Sequence, residues 1–381
     1  MFCIYCTPCL QGVFIIQKTM RSGITTGTCS AGATKAAILA YLGQKPATVE
    51  VLSPQGRKID VKIDTSQQLL TGGKATVMKD AGDDPDITNG TTILAEVEIQ
   101  NHAGVIIQAG IGVGIVTKPG LSVPVGQPAI NPGPRNMIMQ AIKDVLPNGY
   151  GVIVTISIPE GERLAKRTLN PALGIIGGLS IIGTTGIVEP MSEEAFKNSL
   201  SPQINVVKAL GYDQVVFAPG KIGQDIAIHR YGIPAETVIQ TSNFIGHMLE
   251  SAVHYGMKKV LLFGHLGKLA KVAAGIFHTH NRMADARMET IAAYMAAQGA
   301  PQQAILEILS CTTTEAAMPI IKRYNMHNVY RILAQRASAR AKRYVFDDLI
   351  VGTVIVTLQG EILGLDDTAK EMGGSLGWNI K

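Results

Sequence analysis

Three successive strand–turn–helix segments between residues 214 and 273 constrain this chain more than any other feature. Lys259-Val260-Leu261-Leu262-Phe263 is a short apolar run that reads as a buried strand, and Gly264-His265-Leu266-Gly267-Lys268 turns it into a helix. Gln214–Ala218 reads as another strand, followed by Pro219-Gly220-Lys221-Ile222-Gly223 and a helix to Tyr231. Thr237–Gln240 reads as a third, with Thr241-Ser242-Asn243 supplying N-cap chemistry for a helix over 244–255. Strands alternating with helices predict β-α-β units and a parallel sheet. Ligands of such sheets bind outside the carboxyl ends of the strands. Gly220, Asn243 and His265 are therefore expected on one rim, with Lys268 and open backbone N–H groups beside them.

At 381 residues, 46% of them apolar and only 17% charged, the chain is long enough for two well-cored domains. The boundaries expected are 20–192 for an α+β domain with Gly-rich apolar loops and 193–381 for an α/β domain with a parallel sheet and C-terminal helices. The five cysteines (Cys3, Cys6, Cys9, Cys29, Cys311) are too sparse for a disulfide framework and point to a reducing cytoplasm. Cys3-x2-Cys6-x2-Cys9 lacks the fourth cysteine of an iron–sulfur run. Residues 1–19 also lack the charged start and cleavage site of a signal peptide, and read as a dispensable extension before a natural start at Met20. The uncharged run Leu169–Val188 has the length of a membrane span. Its five glycines and Pro171 favour a strand, a turn and a second strand instead, in a protein without a membrane partner.

The net charge of +5 is concentrated. Seven basic residues and no acidic one lie between Ala316 and Phe346, with Arg336, Arg340 and Arg343 on one face of an expected helix. That stripe is solvated, meets a second subunit of a homo-oligomer, or takes an anionic small molecule. The aromatic and Gly-rich readers of nucleic acid are absent.

In the first half, Thr25, Thr26 and Thr28 precede an Ala-rich helix over 31–42, where they act as caps or cradle an anion. Strands are expected at 48–52, 58–63, 75–78 and 93–99. Asp80, Asp83, Asp84 and Asp86 crowd one turn without EF-hand spacing, and read as a solvated turn or as holders of a polar ligand. The glycines at 110, 112 and 114 precede an extended, Pro-broken segment, so a dinucleotide loop is rejected. Lys118 is the only formal charge between Asn101 and Pro134 and suits an anion. Arg135 opens a helix to Asp144, a position where a cation implies an anionic partner. Ser192 followed by Glu193 and Glu194 starts a helix, and Glu189 sits in the turn before it without structural duty.

Taken together, Ser22–Cys29, Val116–Leu121, Asn131–Arg135, Gly183–Ser192, Ser242–Gly246 and Gly264–Lys268 resemble, in order, the cobalt-precorrin-5B C1-methyltransferase family of anaerobic cobalamin biosynthesis. The resemblance runs from about Met20 and loosens beyond Arg343. It implies methyl transfer from S-adenosylmethionine to carbon C1 of a cobalt-containing tetrapyrrole, giving cobalt-precorrin-6A. It also implies a first domain of GHMP-kinase type and a second with a small parallel sheet. The methyl donor would lie against Gly220, Asn243, Gly264, His265, Gly267 and Lys268. The substrate carboxylates would meet Lys118, Arg135, the Thr25, Thr26 and Thr28 turn, and Thr184 and Thr185. His265, Glu189 or Asp285 would serve catalysis. No protein-bound metal is expected, because cobalt arrives inside the macrocycle; His265, His278 and His280 read as helix-end histidines, with axial ligation of cobalt as the alternative. Other enzymes of the pathway would be partners by metabolite transfer only. The competing classes are phosphoryl transfer, weakened by the missing P-loop, and a non-enzymatic corrinoid carrier.

Overall fold

A computed structural model describes residues 20–375, so the extension 1–19 with Cys3, Cys6 and Cys9 lies outside the described residues. The chain divides into two compact units. The first comprises residues up to 107, 133–156 and 181–191. The second comprises 108–132, 157–180 and 192 onward. The two-block division expected from sequence thus needs correction: segments 108–132 and 157–180 belong with the second unit. No glycine or proline signal distinguishes these crossings from ordinary loops.

In the first unit, β1 (Gly23–Ile24) leads into α1 (Thr26–Tyr41). A hairpin of β2 (Thr48–Leu52) and β3 (Lys58–Lys62) follows. The main sheet has the order β4 (Thr65–Gln68), β5 (Gly72–Met78), β6 (Thr92–Gln100), β8 (Gly151–Ser157) and β7 (Gly104–Ala109). The helix α2 (Pro132–Lys143) also belongs here, as does β9 (Ile187–Val188), which pairs with β1. Alanines make α1 a buried helix: Ala31, Ala33, Ala36, Ala37 and Ala40 are all inaccessible. Their small size lets the backbones approach so closely that a Cβ on Gly73 would stand 2.0 Å from the Ala37 carbonyl oxygen. The helix starts five residues before the expected Ala31, because Thr25 itself is the N-cap and accepts from the Thr28 N–H at 3.2 Å.

The second unit carries the sheet that positions the rim. Its order is β11 (Val238–Gln240), β10 (Gln214–Ala218), β12 (Lys259–His265), β13 (Ile350–Val356) and β14 (Ile362–Leu365). The first four are parallel and β14 is antiparallel. Both faces are covered, which is why these strands read as unbroken apolar runs. Val215, Phe217, Val260 and Leu262 enter one core, whereas Val216, Ala218, Leu261 and Phe263 enter the other. The larger core is closed by α3 (Glu193–Leu200), α4 (Pro202–Ala209), α6 (Ile245–His254), α7 (Leu266–Ala273), α8 (Arg287–Ala296), α9 (Gln302–Leu309), α10 (Thr314–Arg323) and α11 (Asn328–Tyr344). The smaller takes the segment after α5 (Lys221–Asp225), through Ala227 and Tyr231, and α12 (Asp367–Ser375), through Ala369 and Met372. Ser192 caps α3 by accepting from the Ala195 N–H, as its sequence predicts.

The run 169–188 is not one strand–turn–strand element. Ile175–Ile176 pairs with Ile115–Val116 in the second unit, and β9 pairs with β1 in the first. Among the described residues no helix is long and apolar enough to cross a membrane.

Candidate active site

The strand order places β10 between β11 and β12, with the chain running from β10 outward to β11 and then back to β12 on the other side. That reversal is the switch point at which the carboxyl ends of a parallel sheet open a ligand crevice. Gly220 follows β10, Asn243 follows β11, and His265 ends β12. A Cβ on Gly220 would meet nothing within 4 Å, so the backbone there is open to a ligand. Gly264 is tight instead: its Cβ would stand 3.0 Å from Pro219 Cδ, drawing the β10 and β12 ends together.

Asn243 is not a helix cap, although its residue type and position predict one. The N-cap of α6 is Phe244, without a side-chain bond. The Asn243 carboxamide oxygen instead accepts from Lys268 Nζ at 2.6 Å and from Thr279 Oγ1 at 3.3 Å. Ser242 beside it adopts φ +54°, a left-handed conformation rare for a residue with a Cβ. Lys268 is half-buried, and among the described residues it bonds Asn243 and, at 3.4 Å, the Thr279 carbonyl. Burial, then Lys271 and Arg287, hold its pKa below the ordinary lysine value. It is a cation at the rim with no carboxylate partner among the described residues.

His265 plays a structural part. It is the N-cap of α7, and its Nδ1 accepts from the Gly267 N–H at 3.2 Å. The ring proton therefore sits on Nε2, which is sealed from water and lies 2.7 Å from Glu315 Oε1, off the axis of a good hydrogen bond. Burial holds its pKa below the usual imidazole value, against the pull of the Glu315 carboxylate and with help from Arg287. Nδ1 is thus spent on the helix cap, while Nε2 is sealed against the Glu315 carboxylate without a hydrogen bond. Asp285 is also committed, in a two-pronged bond from Arg287 Nε and Nη2 at 2.7 Å each. Those bonds, stronger than the small effect of burial, hold its carboxyl below the usual range.

Lys118 lays its stem across Gly174, where φ is +72° and any Cβ would collide with it. Its charge also favours the ionised form of Glu236, after that residue's own backbone N–H and the Tyr212 hydroxyl. In the first unit, the Thr25–Thr28 turn is closed. Thr28 Oγ1 donates to the Gly186 carbonyl at 2.6 Å, Thr26 Oγ1 to the Ile182 carbonyl at 3.2 Å, and the Gly27 N–H also goes to Ile182. These hydroxyls and N–H groups are spent on the 182–186 loop rather than held open for an anion. Thr185 bonds Ile187, and Thr184 has an exposed side chain. Arg135 is exposed with no carboxylate partner among the described residues. Glu189 is exposed and likewise unpaired. Of the four aspartates of 80–86, Asp80 and Asp83 are exposed as a solvated turn implies, but all four are engaged within the chain. Asp80 and Asp83 take Arg21, Asp84 takes the Met191 N–H, and Asp86 takes Lys79.

Residues 15–190 match the CbiD family and 278–367 the CbiD C-terminal domain. A cobalt-precorrin-5B C(1)-methyltransferase of Moorella thermoacetica is 50% identical over 96% of this chain and 100% of its own. The chain belongs to this family. Enzymes of the same name from Desulfitobacterium hafniense and Methanocaldococcus jannaschii are 45% and 44% identical, covering 94% and 92% of this chain and 92% and 98% of their own. A crystal structure of a cobalamin biosynthesis protein from Archaeoglobus fulgidus is 28% identical over 71% of this chain and 84% of its own, with a TM-score of 0.38.

Within this family member, two site residues escape a reading by motif. Glu315 lies fifty residues from the histidine it faces. Lys271 is visible in the sequence as one more lysine on α7, yet its side chain is almost wholly buried. Among the described residues no cluster of three or more His, Cys, Asp or Glu side chains is arranged to hold a metal. Cys29 is inaccessible, and burial pushes its thiol up to about 12.

Proposed function

We propose that this chain methylates carbon C1 of cobalt-precorrin-5B, giving cobalt-precorrin-6A, with S-adenosylmethionine as donor. The near full-length identity of 50% to an enzyme of that name carries the reading. The rim of the parallel sheet suits the donor. Gly220 leaves backbone exposed, Asn243 offers an amide, and Lys268 offers an unpaired cation for the amino-acid carboxylate. When bound, the donor supplies an electrophilic methyl carbon on a sulfonium centre. The chain's part is to bind, orient and exclude water, and positioning alone can be worth roughly 7–11 kcal/mol. Within the second unit, Lys118 is a cation available to an acetate or propionate group; Arg135, within the first unit, is a cation of the same kind considered by itself. Of the expected proton acceptors, His265 and Asp285 are held in internal contacts of the second unit, and Glu189 of the first unit is exposed with no partner among the described residues. The finer likeness of the first unit to GHMP kinases, a cytoplasmic setting and hand-over of metabolites to other pathway enzymes belong to the same reading.

Ligand-induced stabilisation tests it, because a ligand that binds only the folded chain raises the melting temperature by mass action. S-adenosylmethionine and S-adenosylhomocysteine are expected to raise it and ATP is not. Stabilisation by ATP alone would favour phosphoryl transfer and overturn the donor assignment.

A further inference from the structure

We propose that Lys271 is a positioning residue that clamps the loop after α7 and thereby presents Lys268 to an anionic ligand group. The inference deepens the donor-site reading above and rests on it for the ligand's identity. Lys271 is 1% exposed. Its ammonium donates to the Thr279 carbonyl at 3.2 Å, to Asn281 Oδ1 at 2.7 Å and to the Ala284 carbonyl at 2.9 Å. Among the described residues no carboxylate bonds it. A buried cation without a paired anion is costly and is kept only where its hydrogen bonds are all made. Here all three go to one loop, so folding that loop onto α7 is what accommodates the charge.

The clamped loop reaches the rim through Thr279. Its N–H donates to the Asn243 carbonyl at 2.9 Å, and its Oγ1 to the Asn243 side chain. Its own carbonyl receives both Lys268 and Lys271. Asn243 in turn holds Lys268. Loop, strand end and rim cation thus form one connected set, with Lys271 as its buried post. The charged groups facing Lys271 are Lys268 on its own helix, Asp285 of the loop and Arg287 of α8, with His265 and Glu315 one contact further through Arg287. Asp285 is bound to Arg287, so Lys268 and Lys271 leave the cluster with positive charge that an incoming carboxylate would balance.

Substitution separates clamp from charge. Lys271→Met removes both, Lys271→Arg keeps the charge, and Asn281→Ala removes one acceptor from the exposed loop while leaving the core lysine intact. Two readouts are taken on the full chain: hydrogen exchange of residues 276–286, and S-adenosylhomocysteine affinity from pH 6 to 10. In Lys271→Met, and less so in Asn281→Ala, exchange of that loop is expected to quicken and affinity at pH 7.5 to fall about tenfold, the worth of one charge-assisted bond. The alkaline limb of binding, set by Lys268, should move to higher pH in Lys271→Met and stay put in Lys271→Arg, because only the former removes a neighbouring positive charge. Unchanged exchange in both Lys271→Met and Asn281→Ala overturns the clamp. Faster exchange with unchanged affinity and limb overturns the presentation of Lys268. If Lys271→Met does not fold, Asn281→Ala decides alone by the same exchange and affinity criteria. Absence of binding in the unsubstituted protein, seen before any variant is made, overturns the donor-site reading and the ligand role together.

Discussion

At the scale of single residues, the aspartate-rich turn shows what sequence leaves invisible. Four acids in seven positions look like a ligand loop or a solvated turn, yet each has a partner inside the first unit, with Arg21 shared by Asp80 and Asp83. The most consequential pair is Lys79 with Asp86, 2.5 Å apart, in which the lysine is 1% and the aspartate 25% exposed. Burial opposes ionisation of Asp86, but Lys79 and the Thr88 bonds outweigh it and hold its carboxyl below the usual range. A depressed folded-state pKa means that the stabilisation is present above the unfolded value of about 3.9 and is lost as pH falls through the folded one. Thermal melts between pH 2.5 and 7 should therefore show stability falling below about pH 4. Asp86→Asn should flatten that acid limb and cost about 3 kcal/mol at pH 7 by leaving a buried ammonium unpaired. An unaltered acid limb in the variant would mean that the pair has no such role.

Among elements, burial alone did not decide legibility, since the buried apolar strands β8 and β13 were not anticipated. The strands β10 and β12 are apolar on both faces and bounded by glycine turns, so their existence and direction could be read directly. The edge strand β4, Thr65-Ser-Gln-Gln68, could not, since its polar side chains face water and only its backbone pairing makes it a strand. The α1 start was hidden because Thr, Gly and Ser are poor helix formers held helical by packing. His265 is the element-scale surprise. A histidine at the end of a parallel strand invites a catalytic reading, and the structure makes it the cap of α7. His265→Asn, which retains a capping acceptor, should keep activity and stability near those of the parent. His265→Ala should lose about 1 kcal/mol of stability. A general base would instead lose about 10²–10⁴ in kcat on either substitution; such a loss in a well-folded His265→Asn protein would restore the catalytic assignment.

Across the whole molecule, the boundary near residue 192 was legible because Ser192 and the two glutamates after it announce a helix. The earlier crossings were not, since 108–132 and 157–180 leave the first unit in glycine-rich apolar chain whose partners lie far along the sequence. Asn205 donating to the Gly120 carbonyl at 2.6 Å is one such long-range tie. The rim of Gly220, Asn243 and Lys268 could be anticipated because topology alone carries those strand ends to one edge. Its buried support at Lys271 could not. The reading of the molecule as a C-methyltransferase meets its most direct test in an anaerobic incubation of the purified protein with cobalt-precorrin-5B and S-adenosylmethionine deuterated at the methyl group. Mass spectrometry should show the tetrapyrrole gaining one deuterated methyl, with S-adenosylhomocysteine formed in equal amount. A tetrapyrrole recovered at its starting mass, from protein that binds both compounds, would contradict it.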